Sequence, residues 1–519
     1  LWLYLNQKPP AWDQAFHLKS AFATYHWLHG QKPVHGIDII RSFYVYPPLQ
    51  YVITALWMSI VGTSITTATV LNSLYFCATM VVVGLITYEI TKKVTTSVIA
   101  ALIYTLTPLN YDTSRNFLLE PSLLLLISLA LYFYIRSHNF TQTKQTVLFF
   151  ITFIIASYIK LNAFMYFAPI FLWSAATALQ YKHKKPVLVL VAFGLGYALC
   201  MSPWWWANRF NLDHYLHSPA LRGELATDPM NIMSLYTWGF YFKIFFLHQF
   251  FPIPALLFLI SFIPVLREYK KQHVLFMLLY LLSVYAIGTL VTNKDPRYTM
   301  PLLISVAVLA GINFSSWPRK MVGLTLAGVL IVFLFSNYIN NSYNWPLKKN
   351  VSVTTTNVPF FEDVEWIGID DYPVRRYVRG NYPQKTVIAD LANISQHNLL
   401  KVVVLVNTEG FNDNNLMLYQ EIQRAYSLEF HSIGLRESFE STDEIRDLLA
   451  HYPYLLIADP DYESVPFYAI NYQAFKQIQA YVQKQVEQEL MCVIQEYPLE
   501  QHNVYLIDTN GVSCGIVTK

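Results

Sequence analysis

The chain has 519 residues, 54% of them hydrophobic and only 13% charged, with a net charge of +3. Its mean hydropathy is +0.32. That balance belongs to a polytopic membrane protein rather than a soluble enzyme. The weak positive charge, with no basic stretch carrying interleaved aromatics, argues against a nucleic-acid partner.

The average conceals two parts. Residues 1–340 form apolar runs separated by short polar loops, whereas 341–519 holds most of the acidic residues and no run long enough to cross a bilayer. The expected architecture is an α-helical polytopic membrane domain followed by an extracytoplasmic soluble α/β domain. "LWLYL" at the start reads as the last turns of a truncated first helix. Spans are expected at 66–91, 94–112, 117–135, 145–160, 163–181, 186–206, 251–266, 273–292, 298–314 and 321–339, about 11 with the truncated one.

Sidedness follows from the loops. Lys92 and Lys93, the stretch from Arg136 to Lys144, "KHKK" at 182–185, "REYKK" at 267–271 and "PRK" at 318–320 fall on one side if the spans alternate. Basic loops mark the cytoplasm. The opposite side receives 8–65, 113–116, the Lys160 turn, 207–250, "NKDPR" at 293–297 and the C-terminal part. Two further apolar runs, 46–62 and 237–251, are short or interrupted and are expected to lie in the membrane interface. Cys77 and Cys200, inside apolar runs, read as packed small hydrophobes. Cys492 and Cys514 have the option of pairing in an oxidising compartment, which spacing alone does not decide.

The outer face gathers ionisable groups. Asp13 and His17 lie in "PPAWDQAFHLKSA" (9–21), Arg115 and Glu120 at the mouth of the 117–135 span, Lys160 in "YIKLNAF" and Arg297 in "NKDPRYTMPLL". Arg41, Arg209 and Arg222 add cations in outer loops. Two readings stay open for the acids: Asp13 caps a helix over about 14–29 and Glu120 merely favours a helix dipole, or both serve a reaction. Cations with carboxylates around one cleft suit a substrate bearing a phosphate and a hydroxyl to be activated, because arginine grips phosphate through its planar fork and a carboxylate accepts a proton.

"PAWDQAFH", "YPPL", "RNFLLEP", "YIKLNAF" and "DPRYTMPLL", in this order and on one side, together resemble the GT-C integral-membrane glycosyltransferases. Within that class the likeness is to the bacterial protein-O-mannosyltransferase-like group, which includes the lipid A aminoarabinose transferases. The resemblance covers about 1–340. It implies an inverting enzyme of the cytoplasmic (inner) membrane that moves a sugar from a polyprenyl-phosphate carrier to an extracytoplasmic protein, lipid or glycan. Asp13 then matches the family's first-loop acid, a general base or acceptor-orienting group, and Glu120 its second-loop acid. Lys160 and Arg297 match positions associated with the lipid phosphate, and Arg115, Arg41 and His17 join them as substrate-binding candidates. Relatives often carry an acidic pair in the first loop, whereas Asp13 is followed by Gln14. That departure makes a preformed metal site less expected, though Asp13 and Glu120 sharing Mg²⁺ or Mn²⁺ stays open.

The competing readings are a transporter or lipid flippase with an accessory domain, which would place charges near the bilayer midplane, and a membrane-anchored sensor, which needs neither carboxylate. In the C-terminal part, strands are expected at 401–407, 453–459, 491–497 and 503–509, and helices near 415–427, 441–450 and 468–489. "FNDNNLMLYQEIQ" (411–423) reads either as the lining of a ligand crevice or as an ordinary loop and helix cap. Acceptor recognition is the role expected of this domain.

Overall fold

The computed structural model describes residues 1–32, 46–182, 184–216, 231, 233–268, 272–343, 345, 351–353, 364–367, 377–396, 398–432, 438–459 and 472–511. Arg41, Arg222 and Cys514 lie outside these residues.

The helical part begins with a four-residue turn, α1 (Trp2–Leu5), and continues through α2 (Trp12–Leu28), α3 (Leu49–Val61), α4 (Ile65–Thr91), α5 (Val94–Leu106) and α6 (Pro108–Thr113). It goes on with α7 (Glu120–Arg136), α8 (Thr143–Ile159), α9 (Ala163–Gln180), α10 (Lys184–Leu216) and α11 (Leu235–Ile244). After a π-turn at Phe245–Gln249 come α12 (Pro252–Glu268), α13 (Gln272–Leu290), a 3₁₀ turn at Pro296–Thr299, α14 (Leu302–Ser315) and α15 (Lys320–Tyr343). The protein is a multi-pass membrane protein. Among the described residues five helices are long and apolar enough to cross a bilayer, or six if the bent α11–α12 pair counts as one span.

Where an expected span and its helix differ in length, the causes are local. The run 94–112 breaks at Thr107, whose extended backbone precedes Pro108 at the first turn of α6, because the residue before a proline avoids the helical region. The 117–135 run becomes a helix only from Glu120, with Pro121 in its first turn. The expected 186–206 span is instead the 33-residue α10, which carries helix ten residues into what the sequence suggested was loop. Between α11 and α12 the chain turns by 117°, which keeps the 237–251 run separate from the 251–266 span.

Helix α14 is apolar on every side, and each residue from Leu302 to Phe314 is buried. A helix of that composition belongs at the centre of a bundle. Gly311 is required there, since a Cβ on it would stand 2.9 Å from the Thr96 carbonyl oxygen of α5. By contrast α10 runs along the outside, with Leu188, Leu195 and Leu199 68–76% exposed. Cys77 is also exposed and Cys200 half-buried, so these thiols do not pack inside as expected; facing the bilayer, an apolar side chain needs no protein partner.

The C-terminal part contains a short antiparallel pair, β1 (Val351–Val353) with β2 (Val364–Ile367), then α16 (Gln384–Ser395), β3 (Leu400–Leu405), α17 (Asp413–Gln423), β4 (Leu428–Ser432), α18 (Thr442–Leu449), β5 (Tyr454–Ala458), α19 (Tyr472–Glu487), β6 (Cys492–Leu499) and β7 (His502–Asp508). The main sheet has the order β4-β3-β5-β7-β6, with β3 parallel to β4 and β5, and β7 antiparallel to β5 and β6. The "KVVVLV" run is buried on both faces: Val402, Val404 and Val406 enter one core cluster, Val403 and Leu405 the other. That period-two division is what a central strand between helical layers demands.

The two parts are joined through α17, which packs on α2. Leu418 is fully buried in one cluster with Ala15, Leu18 and Phe22. The 411–423 stretch therefore serves as a docking helix, opened by a reciprocal Asn412–Asn415 capping box.

Candidate active site

Helix α2 starts after Pro9 and Pro10, with Ala11 as its N-cap and no side-chain capping bond. Asp13 is therefore not the cap that a helix from 14 would have required. It stands inside the first turn, where a carboxylate is favoured by the helix dipole. Trp12 enters the helix with a left-handed φ of 43°, a strained conformation for an aromatic residue, and its indole N–H donates to Asn407 Oδ1 at 2.8 Å.

Four segments distant in sequence bring their ionisable groups together. Arg297, in the 3₁₀ turn after α13, donates from Nη2 to Asp13 Oδ2 at 2.9 Å. Asp295 grips the other side of the same guanidinium, with Nε at 3.0 and 2.9 Å from its two oxygens and Nη2 at 2.5 Å from Oδ2. Lys160, the C-cap of α8, donates to Glu120 Oε1 at 2.7 Å. Its Nζ also stands 5.7 Å from the Tyr298 ring centroid. The start of α7, the end of α8 and the turn after α13 thus share one end of the bundle.

Exposure divides the two acids. The Asp13 side chain is 48% accessible within the cleft, whereas Glu120 is 5% accessible beneath Lys160. Burial among protein atoms would raise the Asp13 carboxyl, but Arg297, with His17 assisting, outweighs it and holds the group below the ordinary carboxylate value. Asp13 is ionised at neutral pH and open to the cleft. His17 is different: it is 3% exposed, with Nδ1 2.9 Å from the Tyr51 hydroxyl and its ring against Tyr46. Burial pushes it down to about 4 despite the pull of Asp13. Its ring is thus buried beside Tyr51, where the sequence reading expected a group exposed to substrate.

Arg115 is not brought to this cluster either. It is 7% exposed and enclosed by the rings of Trp2, Tyr111 and Tyr338 at 4.8–5.3 Å, with Nη2 2.5 Å from Ser342 Oγ. Arg209 is exposed on α10, over the rings of Trp206 and Phe210. Asp295, Tyr51 and Tyr298 escaped the sequence reading. Only Asp295 left a signal, two residues before Arg297 in "DPR", a spacing that lets an N-cap carboxylate reach back to the guanidinium.

Among the described residues no group of three or more His, Cys, Asp or Glu gathers as a metal site. The donor set fits a divalent ion poorly, since Asp13 and Glu120 each already face a cation that Mg²⁺ or Mn²⁺ would have to displace.

A family profile described as dolichyl-phosphate-mannose-protein mannosyltransferase matches residues 45–206. Two solved structures of ArnT from Cupriavidus metallidurans, one apo and one bound to undecaprenyl phosphate, align with TM-scores of 0.58 and 0.56. Identity is 10% in both, and the alignments cover 98% and 97% of this chain and 95% of each ArnT chain. The chain has the GT-C glycosyltransferase fold. No curated protein matches it by sequence. The ion cluster lies at one end of the helical bundle, which is not the midplane placement a transporter would use.

Proposed function

We propose that the protein transfers a sugar, with inversion at the anomeric carbon, from a polyprenyl-phosphate carrier to a protein, lipid or glycan acceptor on the extracytoplasmic side of the cytoplasmic membrane. One observation carries this reading: an accessible, ionised Asp13 beside Arg297, with Lys160 held on Glu120 in the same cluster. It is supported by the fold shared with an undecaprenyl-phosphate-bound structure.

Asp13 takes the proton of the acceptor hydroxyl as its oxygen attacks the anomeric carbon, the carbon–oxygen bond to phosphate breaks, and the electron pair leaves on polyprenyl phosphate. Lys160 and Arg297 stabilise the charge that develops on that phosphate. Glu120 and Asp295 are positioning residues, each orienting one cation. The lipid tail has a path beside Lys160: an apolar groove of about 750 Å³ between α9 and α10, lined by Leu161, Phe164, Phe171, Leu190 and Trp205 among others.

Purified protein incubated with a panel of polyprenyl-phosphate sugars tests this by release of free polyprenyl phosphate. Wild type is expected to release it from one sugar class, with the rate falling at least 100-fold in Asp13→Asn. No release from any donor, or equal release from Asp13→Asn and wild type, overturns the reading.

A further inference from the structure

A second cavity, of about 600 Å³, lies against the neighbouring face of α2. Gln14 and Leu18, one turn apart, line it, just as Asp13 and His17 on the adjoining face belong to the ion cluster. Its wall also includes Asn116 and Phe117, just before Glu120, so the cavity touches the segments that carry both acids. Part of its enclosure comes from the C-terminal part, through Val378 and Glu409, and Glu409 forms an ion pair with Lys8 on the same rim.

Arg115 lines this cavity. Among the described residues its Nη1 is buried without a hydrogen-bond partner, and the partner of its Nη2 is the neutral Ser342 hydroxyl. A buried cation without an anion is costly, and three aromatic faces only partly offset the lost hydration. Those rings do hold the guanidinium in one plane. A guanidinium held between aromatic rings at a cavity wall, with one nitrogen unbonded among the described residues, is a receptor for a phosphate or carboxylate.

We propose that this cavity is the acceptor site and that Arg115 holds an anionic group of the acceptor, a phosphate or carboxylate, while the acceptor hydroxyl reaches Asp13. The assignment rests on the glycosyl-transfer reading, and it narrows the acceptor to an anionic molecule. The donor phosphate is the other source of the same chemistry, so the test must separate the two.

The probe is phenyl phosphate, with benzyl alcohol as the neutral control, measured by saturation-transfer NMR on the full chain in nanodiscs saturated with undecaprenyl phosphate. Phenyl phosphate is expected to bind with the donor site filled and benzyl alcohol is not. Arg115→Met should weaken binding at least tenfold with no fall in Tm, since it removes an unpaired buried charge. Arg115→Lys should retain part of the affinity. Gln14→Glu keeps Arg115 but puts a negative charge on the cavity wall, so it should also weaken binding at least tenfold; it decides the matter should Arg115→Met fail to fold. Undiminished binding in these variants, or complete displacement of phenyl phosphate by undecaprenyl phosphate, overturns the assignment. Polyprenyl phosphate release from sugar donor without acceptor is read separately: if it fails while phenyl phosphate still binds through Arg115, the transfer reading falls and the anion site stands.

Discussion

Two clusters on α2 use the same residue types to different ends. On one face, His17 and Asp13 meet Arg297 and, nearby, Lys160 and Glu120; on another, His26 and Lys32 meet Glu421 of α17 at 3.1 and 2.8 Å. Glu421 is 8% accessible, and the Tyr426 hydroxyl donates to it at 3.2 Å, so its acceptors are filled and nothing can approach. The Asp13 carboxylate has one cation and an open side. Composition alone does not distinguish a dock from a reaction centre. What distinguishes them is whether a charged group keeps an unfilled, reachable acceptor.

The sharpest way to break this contrast is to neutralise one acid in each cluster. Asp13→Asn should cut kcat by 10²–10⁴, the range for loss of a general base, with little change in Tm because Arg297 keeps Asp295. Glu421→Gln should do the reverse, lowering stability by roughly 1–3 kcal/mol as it strips a charged acceptor from His26 and Lys32, while turnover falls less than tenfold. Steady-state rates and thermal melts on both variants measure this. A larger rate loss in Glu421→Gln than in Asp13→Asn would reverse the assignment of the two clusters.

Next in size is the buried Glu120–Lys160 pair. Glu120→Gln leaves Lys160 buried without its counter-ion and should cost about 3–5 kcal/mol, together with activity. The double variant Glu120→Gln/Lys160→Met should regain most of the stability and none of the activity, since the phosphate's cation is gone. Recovery of turnover in the double variant would show that Lys160 serves packing alone.

The difference between the clusters also marks where the sequence was legible. Asp13, Glu120, Lys160 and Arg297 stood out because each is an ionisable group at a span end, against the charge bias of its loop or the apolarity of its helix. The unbroken run of Val402 to Val406 marked a strand for a similar reason, being rich in β-branched residues and too short to cross a bilayer. The dock did not stand out: His26 and Glu421 are ordinary helix residues, Lys32 lies just past the end of α2, and their pairing is a contact between segments about 390 residues apart. The five-residue strand β4 is not among the expected strands, and the expected helix runs to 427 where α17 ends at Gln423, before the left-handed Arg424. Arg115 was legible as an unusual cation but not as a caged one, because Trp2 and Tyr338 reach it from opposite ends of the helical part.

The last expected effect concerns protons. His17 is pushed down to about 4 in the folded protein against an ordinary value of 6.5, so the unfolded chain binds a proton that the folded chain refuses. Its contribution to stability is therefore complete above about pH 6.5 and is lost as pH falls toward 4, worth roughly 3 kcal/mol over that window. His17→Asn should flatten the acid limb of the stability curve between pH 6.5 and 4, read as Tm against pH. The catalytic profile should behave differently, because Asp13 is held below the ordinary carboxylate value and stays ionised through the same window. Wild-type kcat/KM should then show no inflection near pH 6.5 and decline only as pH falls through the depressed Asp13 value, below the ordinary carboxylate range. An inflection near 6.5 that disappears in His17→Asn would make His17, and not Asp13, the group that exchanges the acceptor's proton.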